Sequence, residues 1–176
     1  MADRLVTKPP TLDEPYSTTV PANLRVRPMT KADFDAVVHV VDQWWSGPIA
    51  ILAHPVFFYE LGKHARVVED FATPNGRKFV GFLLGFIAPP DEGRAAVGYV
   101  HLVGVHPEYR RKGVARALYN EFTANALSSG CRHLKAITTV GNEGSLRFHQ
   151  ALGWRSTEDD NYAGFGRRRI VLTKDL

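Results

Sequence analysis

Cysteine is nearly missing from this sequence: Cys131 is the single one among 176 residues. No disulfide can form within the chain, and a reducing, cytoplasmic setting is the expectation. With no chemical motif around it, Cys131 reads as a small core or loop thiol. Long hydrophobic runs are missing too. Nothing approaches the roughly 20 apolar residues that span a bilayer. The first segment, MADRLVTKPPTLDEPYSTTVPANL, has no apolar core of a secretory signal. No membrane partner is therefore expected. Metal-binding patterns are also absent: the seven histidines are scattered, and neither H-E-x-x-H nor a cysteine cluster occurs. Neither G-x-x-x-x-G-K-[ST] nor G-x-G-x-x-G is present, which removes the nucleotide triphosphatase loop and the dinucleotide fingerprint. The net charge of +4 suits an anionic partner. The cations gather around Arg110 to Arg116 and Arg167 to Arg169 without a long basic tail, so nucleic acid is not the expected partner.

What is there reads as one mixed α/β domain over residues 23–176, preceded by a flexible proline-rich arm over 1–22 with Pro9, Pro10, Pro15 and Pro21. LRVRP is a short strand stopped by Pro28. Thr30 followed by Asp33 resembles a capping box, and Phe34, Val37, Val38 and Val41 recur at helical spacing behind it. WWSGPIAILAHPVFFYELGKH, broken by Pro48 and Pro55, reads as short helices and loops. ARVVED, KFVGFLLGFIA and AAVGYVHLVGV are strands joined by the turns TPNGR and PPDEGR, which implies an antiparallel meander. A helix from about Val114 to Ser128 and the strand HLKAITTV then suggest a parallel crossover. A short helix over about Glu143 to Leu152, stopped by Gly153, precedes two last strands near GWRST and RRRIVLT.

One junction stands out. After the strand ending in Val105 comes HPEYRRKGVARALYNEF, with Arg110, Arg111 and Lys112 beside Gly113 at the start of a helix. Backbone N–H groups at a helix start lack intrahelical partners, and the helix dipole favours negative charge there. A glycine lets the backbone approach a ligand closely, and nearby cations add charge-assisted contacts. Strand, basic glycine turn and helix together make a seat for a diphosphate. An exposed basic turn whose glycine serves geometry alone is the plain alternative.

Arg110-x-x-Gly113-x-Ala115 resembles the pyrophosphate loop, Q/R-x-x-G-x-G/A, of the GNAT superfamily of acyl-CoA-dependent N-acetyltransferases. NEGSLRFHQALGW, Asn142 to Trp154, resembles that family's N-x-x-S-x-x-F-[Y/H]-x-x-x-G-[F/W] helix at the expected distance downstream. The resemblance runs from about Leu24 to the end and is clearest over residues 95–155. It implies a roughly seven-stranded mixed sheet splayed between its fourth and fifth strands, with about four helices on its faces. Acetyl-CoA as co-substrate, without a metal, would lie in that gap. Its pantetheine arm would meet the main chain at Val103, Gly104 and Val105. Its pyrophosphate would accept from the amides of Arg111, Lys112, Gly113, Val114, Ala115 and Arg116 beside Arg110. Asn142, Ser145 and Phe148 would complete the cofactor side, although Asn142 also reads as a plain helix cap.

The activity implied is transfer of the acetyl group to a primary amine by direct attack in a ternary complex, with a non-catalytic acyl-CoA-binding module as the alternative. The amide near Val105 would polarise the thioester carbonyl. His149 stands where the family commonly has a tyrosine acid, and imidazole is competent to protonate a thiolate. A core histidine bonded to a carbonyl is the alternative. The family's central-strand glutamate is replaced by Tyr99, so His101, two residues on, is the candidate base, with Glu69 or Asp70 behind it. His101 shares a face with Tyr99 only if the strand is regular. Positioning alone also suffices as a mechanism without a base. The acceptor is a small-molecule or peptide amine, met by Trp44, Trp45, Phe57, Phe58 and Tyr59 or by the loop EDDNYAGFG. Core packing explains those rings equally well. Pairing of two copies into a homodimer is what the resemblance allows.

Overall fold

Thr30 and Asp33 do form a capping box. Asp33 accepts from the Thr30 N–H at 2.7 Å, and Thr30 Oγ1 accepts from the Asp33 N–H at 3.4 Å. Arg27 clamps the same carboxylate at 2.6 Å and reaches Glu69 at 2.6 Å, so the passage from β1 (Leu24–Pro28) into α1 (Lys31–Trp45) is fixed on both sides. Helix α1 then buries Phe34, Val37, Val41 and Trp44 as one stripe. This computed structural model describes residues 21–45, 50–74 and 76–176. Apart from Pro21 and Ala22, the expected arm lies outside the described residues, as do Pro48 and Asn75.

The aromatic segment gives short pieces, as its prolines imply: a 3₁₀ turn at Ala50–Leu52, α2 (Val56–Tyr59) and a second 3₁₀ turn at Gly62–His64. Strands β2 (Arg66–Thr73), β3 (Gly76–Ala88) and β4 (Val97–Val105) make the antiparallel meander. Helix α3 (Val114–Ser128) crosses to a parallel β5 (His133–Thr138). Helix α4 (Glu143–Ala151), β6 (Arg155–Asp159) and β7 (Arg169–Asp175) follow. The strands form a seven-stranded mixed sheet in the order β1-β2-β3-β4-β5-β7-β6. One face packs on α3 and α4 through Leu118, Phe122, Leu134, Trp154 and Leu172, a cluster that includes Cys131. The other packs on α1 and α2 through Phe34, Val37, Trp44, Phe82 and Leu84. Among the described residues, no helix is long and apolar enough to cross a membrane.

The sheet opens at its centre. β4 and β5 pair only where Val97 to Val100 lie beside His133 to Ala136. Past that point β4 stays with β3 out to the pair Val105–Gly81, while β5 stays with β7 out to Thr138–Ile170. Each strand follows the twist of its own neighbour, and a gap forms between them.

A β-bulge re-aims β4 at the edge of this gap. Leu84 pairs with Leu102 and Gly85 with Val100, leaving His101 unopposed. A Cβ on Gly98 would strike Leu134 and come close to Phe122 on the α3 face, whereas one on Gly104 would strike Phe82 and Trp45 on the α1 face. In a regular strand these two positions share a face. The bulge keeps Tyr99 and His101 against the α1–α2 side and returns Val103 and Val105 to the α3 side.

Candidate active site

The loop after β4 is held by side chains bonded to its own backbone, to β2 and to the end of α1. His106 Nδ1 accepts from the Glu108 N–H at 3.3 Å, and the Tyr109 hydroxyl donates to Asp70 at 2.6 Å, tying the loop to β2. Arg110 donates to the Trp44 carbonyl at 2.5 Å and to the Val105 carbonyl at 3.4 Å. Its cation thus sits at the C-terminal end of α1, which suits the helix dipole. Arg111, at φ 64, and Gly113, at φ 79, both have left-handed backbones. Gly113 is the N-cap of α3 and offers no side chain, and no acidic residue occupies the first turn. The amides of Val114, Ala115 and Arg116 therefore have no intrahelical acceptor and lie at the positive end of the dipole. A groove of about 120 Å³ runs from Val105 and Tyr109 past Gly113 to Arg116, with Phe148 and Ala151 of α4 on its opposite wall. Motifs far apart in sequence face each other across it. An anion seat next to an unpaired strand edge is what a diphosphate on an extended amide-bearing arm requires, so these residues fit coenzyme A.

Asn142 and Ser145 lie at the start of α4. Asn142 caps the helix, its Oδ1 accepting from the Ser145 N–H at 3.2 Å, while its Nδ2 donates to Thr138 Oγ1 at 3.0 Å across the end of β5. Phe148 meets Tyr119 edge-on, with centroids 5.3 Å apart. His149 is 4% exposed and does not line the groove. Its Nδ1 lies 2.8 Å from the Ser145 carbonyl and its Nε2 2.8 Å from the Tyr119 hydroxyl. A carbonyl only accepts, so Nδ1 carries the proton and Nε2 receives the hydroxyl hydrogen. Burial lowers the pKa, partly opposed by the Ser145 carbonyl, and favours this neutral ring. Both nitrogens are engaged inside the core.

His101 is placed differently. Its ring stacks on Phe57 with centroids 3.7 Å apart, and Nε2 donates to the Leu52 carbonyl at 2.7 Å. That bond leaves the lone pair on Nδ1. Burial lowers the His101 pKa, with the Leu52 carbonyl opposing, so the ring is neutral near pH 7. Beside it, Tyr99 stacks on Phe86, centroids 5.2 Å apart. Burial, and then the charge and hydrogen bond of Tyr162 from the β6–β7 loop, push the Tyr99 pKa up. Lys135 of β5 lies 5.0 Å over the Tyr162 ring.

The other expected candidates lie elsewhere. Glu69 is paired with Arg27, and Asp70 accepts from Tyr109, Ala72 and Asn23. Their strand is two places from β4 in the sheet, roughly 10 Å at the usual spacing. Trp44 and Phe58 pack inside, stacked on Phe79 and Phe34, and Trp45 covers Gly104; of that aromatic segment Phe57 meets His101. Asp160 pairs with Arg168. A larger cavity of about 640 Å³ lies between α4 and β6–β7, lined by Arg147, Trp154 and Arg155, outside the gap. Among the described residues, no group of three metal-ligating side chains occurs. Tyr119, Leu52 and Phe86 were not legible as site residues. Tyr119 lies 30 positions from its histidine partner, and nothing in the spacing reports such a contact.

A seven-stranded sheet parted between its parallel middle strands, with a glycine-capped helix facing the gap, defines the acetyltransferase architecture. A sequence model described as "Acetyltransferase (GNAT) family" matches residues 34–154, and the chain belongs to that family. It is 26% identical over 156 residues to the mycothiol acetyltransferase of Propionibacterium freudenreichii subsp. shermanii, covering 84% of this chain and 48% of that protein. The chain thus spans about half the length of this relative. It also superposes on a chain of the NatC complex bound to Gag peptide and CoA with a TM-score of 0.74 and 17% identity, over 88% of this chain and 99% of that one. The ribosomal-protein-S18-alanine N-acetyltransferase of Escherichia coli gives a TM-score of 0.65 and 18% identity, over 87% of this chain and 94% of that one. At these identities the structural likeness speaks for the fold.

Proposed function

We propose that the chain transfers an acetyl group from acetyl-CoA to a primary amine of a small molecule or peptide, by direct attack within a ternary complex. The observation that carries this reading is the gap: β4 and β5 part after Val100, and the bare amides of α3 open beside it. The diphosphate of acetyl-CoA binds the amides from Arg111 to Arg116, and its pantetheine arm runs along Val103 to Val105 past Phe148, Ser145 and Asn142. The thioester reaches through the gap to the α1–α2 face, where His101 and the rings around it receive the acceptor.

An alkylammonium, with a pKa near about 10.4, must lose a proton before it attacks. His101 Nδ1 is the group we assign to take it, directly or through water. The neutral amine adds to the thioester carbonyl carbon, and the main-chain amide near Val105 stabilises the oxyanion. The C–S bond then breaks, the acetyl group stays on nitrogen, and the proton that this nitrogen sheds as it becomes an amide passes to the departing thiolate, directly or through water. His149 as the proton donor to that thiolate has weak support from its geometry. The single proton of the neutral ring is bonded to Ser145, and releasing it would leave an imidazolate in the core.

We further propose a reducing, cytoplasmic setting, supported by the lone buried thiol of Cys131, and pairing of two copies, supported by family resemblance alone. The test is thermal melting with and without CoA, followed by thiol release from acetyl-CoA with a panel of small amines and peptides. Protection by CoA and amine-dependent thiol release are expected. Protection without release for any amine would leave a binding module, and no protection would remove the reading.

A further inference from the structure

The buried pair formed by Tyr119 and His149 joins the two walls of the proposed coenzyme groove. Tyr119 is on α3, one turn beyond the amides that face the groove, and is 3% exposed. His149 is on α4, next to Phe148, which lines the opposite wall. The hydroxyl and Nε2 are 2.8 Å apart. The histidine is gripped from two further sides. Its Nδ1–H is bound to the Ser145 carbonyl at 2.8 Å, one turn back in α4. Its ring meets Trp154 edge-on, centroids 5.0 Å apart, and the Trp154 N–H closes the helix end on the His149 carbonyl at 3.0 Å. Trp154 also meets the Tyr119 ring edge-on at 5.7 Å. Three rings and one directed hydrogen bond thus set the distance between α3 and α4.

Apolar packing alone would hold two helices together but tolerate sliding. A hydrogen bond between buried partners does not, because a shifted helix leaves a polar group without a partner. The tautomer is fixed as well: Ser145 demands the proton on Nδ1, which makes Nε2 the acceptor that Tyr119 needs. We infer that Tyr119 and His149 act together as positioning residues, holding α4 at the spacing at which Phe148 and the α3 amides can grip coenzyme A at once. This rests on the reading that the groove takes coenzyme A.

The test compares the full chain with Tyr119→Phe, which keeps the ring and deletes the hydroxyl. Titration with CoA should give an affinity about fivefold weaker, the factor one buried hydrogen bond supplies. KM for acetyl-CoA should rise more than kcat falls. The loss on adding Tyr119→Phe should vanish in a His149→Phe background, since the two act as one unit. Imidazole ¹⁵N spectra of the unliganded protein should show the Nδ1–H form of His149, and a mixed tautomer in Tyr119→Phe. Melting curves report whether each variant is folded. An unchanged CoA affinity in a folded Tyr119→Phe would overturn the inference, as would an Nε2–H or charged His149 in the parent. A fall in kcat with unchanged affinity would instead put His149 in proton transfer and also overturn it. Failure of the parent to bind CoA would remove the reading beneath the inference, and the inference with it, while the tautomer spectrum would still report on the pair.

Discussion

On the α3–α4 side of the gap, the groups we assign to the co-substrate are main-chain amides at Val114, Ala115 and Arg116 and the strand edge beyond Val100. On the α1–α2 side the groups are rings: Phe57, Phe86, Tyr99, His101 and Tyr162, drawn from four separate stretches of the chain. Main-chain recognition needs few particular residues. A glycine at φ 79 and an uncapped helix are enough, so many sequences can satisfy it. Ring recognition depends on which side chains converge, and each substitution there changes what fits. The first side suits a constant co-substrate and the second a selective acceptor.

This contrast can be broken from its strongest point. Gly113→Glu puts a Cβ at a left-handed position and a carboxylate in the anion seat. CoA affinity should fall by more than about 100-fold, from charge repulsion and strain together. Calorimetric titration checks this, with melting as the control for folding, and unchanged affinity would end the amide-seat account.

Changing His101 should do the reverse. His101→Gln is expected to lower turnover by about 10²-fold, a typical general-base contribution, and leave CoA affinity within about twofold. The pH profile sharpens the assignment. Burial lowers the His101 pKa below its ordinary 6.5, so the neutral base persists below that pH and turnover declines only as the pH falls through the lowered value. His101→Gln should remove that acid limb, and a limb that survives the substitution belongs to another group.

Smaller effects are expected where the two sides are merely joined. Arg110 bridges the loop to the end of α1 through the Trp44 carbonyl. Arg110→Met should cost about 1 kcal/mol of stability, measured by urea unfolding, and weaken CoA binding a few-fold. Far from the gap, burial raises the Asp33 pKa, but hydrogen bonds from Arg27 and Thr30 outweigh it and bring it to about 2. The ordinary value is 3.8, so this stabilising contribution is complete above about pH 4 and is lost as the pH falls toward 2. Asp33→Asn should flatten that part of the stability profile without altering CoA affinity.

The same contrast governs what the sequence disclosed. The loop at Gly113, the helix starting at Val114 and the stop at Gly153 are local, since each follows from a few neighbouring residues and backbone physics. The capping box of Thr30 and Asp33 is local too. The bulge at His101 was not legible, because it arises from mismatched register against β3 and not from any residue in β4 alone. Tyr99 and His101 keep the common face that alternation gives, and the bulge shows just beyond them, where Leu102 joins the α1–α2 face and Val103 and Val105 turn to the α3 side. The Tyr119–His149 pair was hidden for a similar reason: the spacing along α4 identifies a core-facing histidine, but its partner lies on another helix. Nor did sequence separate the rings of the aromatic segment, where Trp44, at the end of α1, and Phe58, in α2, enter the core while Phe57 turns to His101.

The most direct test is an amide-resolved NMR titration of the protein with CoA. Shifts should concentrate at Gly113 to Arg116 and along His101 to Val105, with Val97 to Val100, which remain paired to β5, largely unmoved. Shifts centred instead on Arg147, Trp154 and Arg155, around the larger cavity between α4 and the last hairpin, would contradict the account.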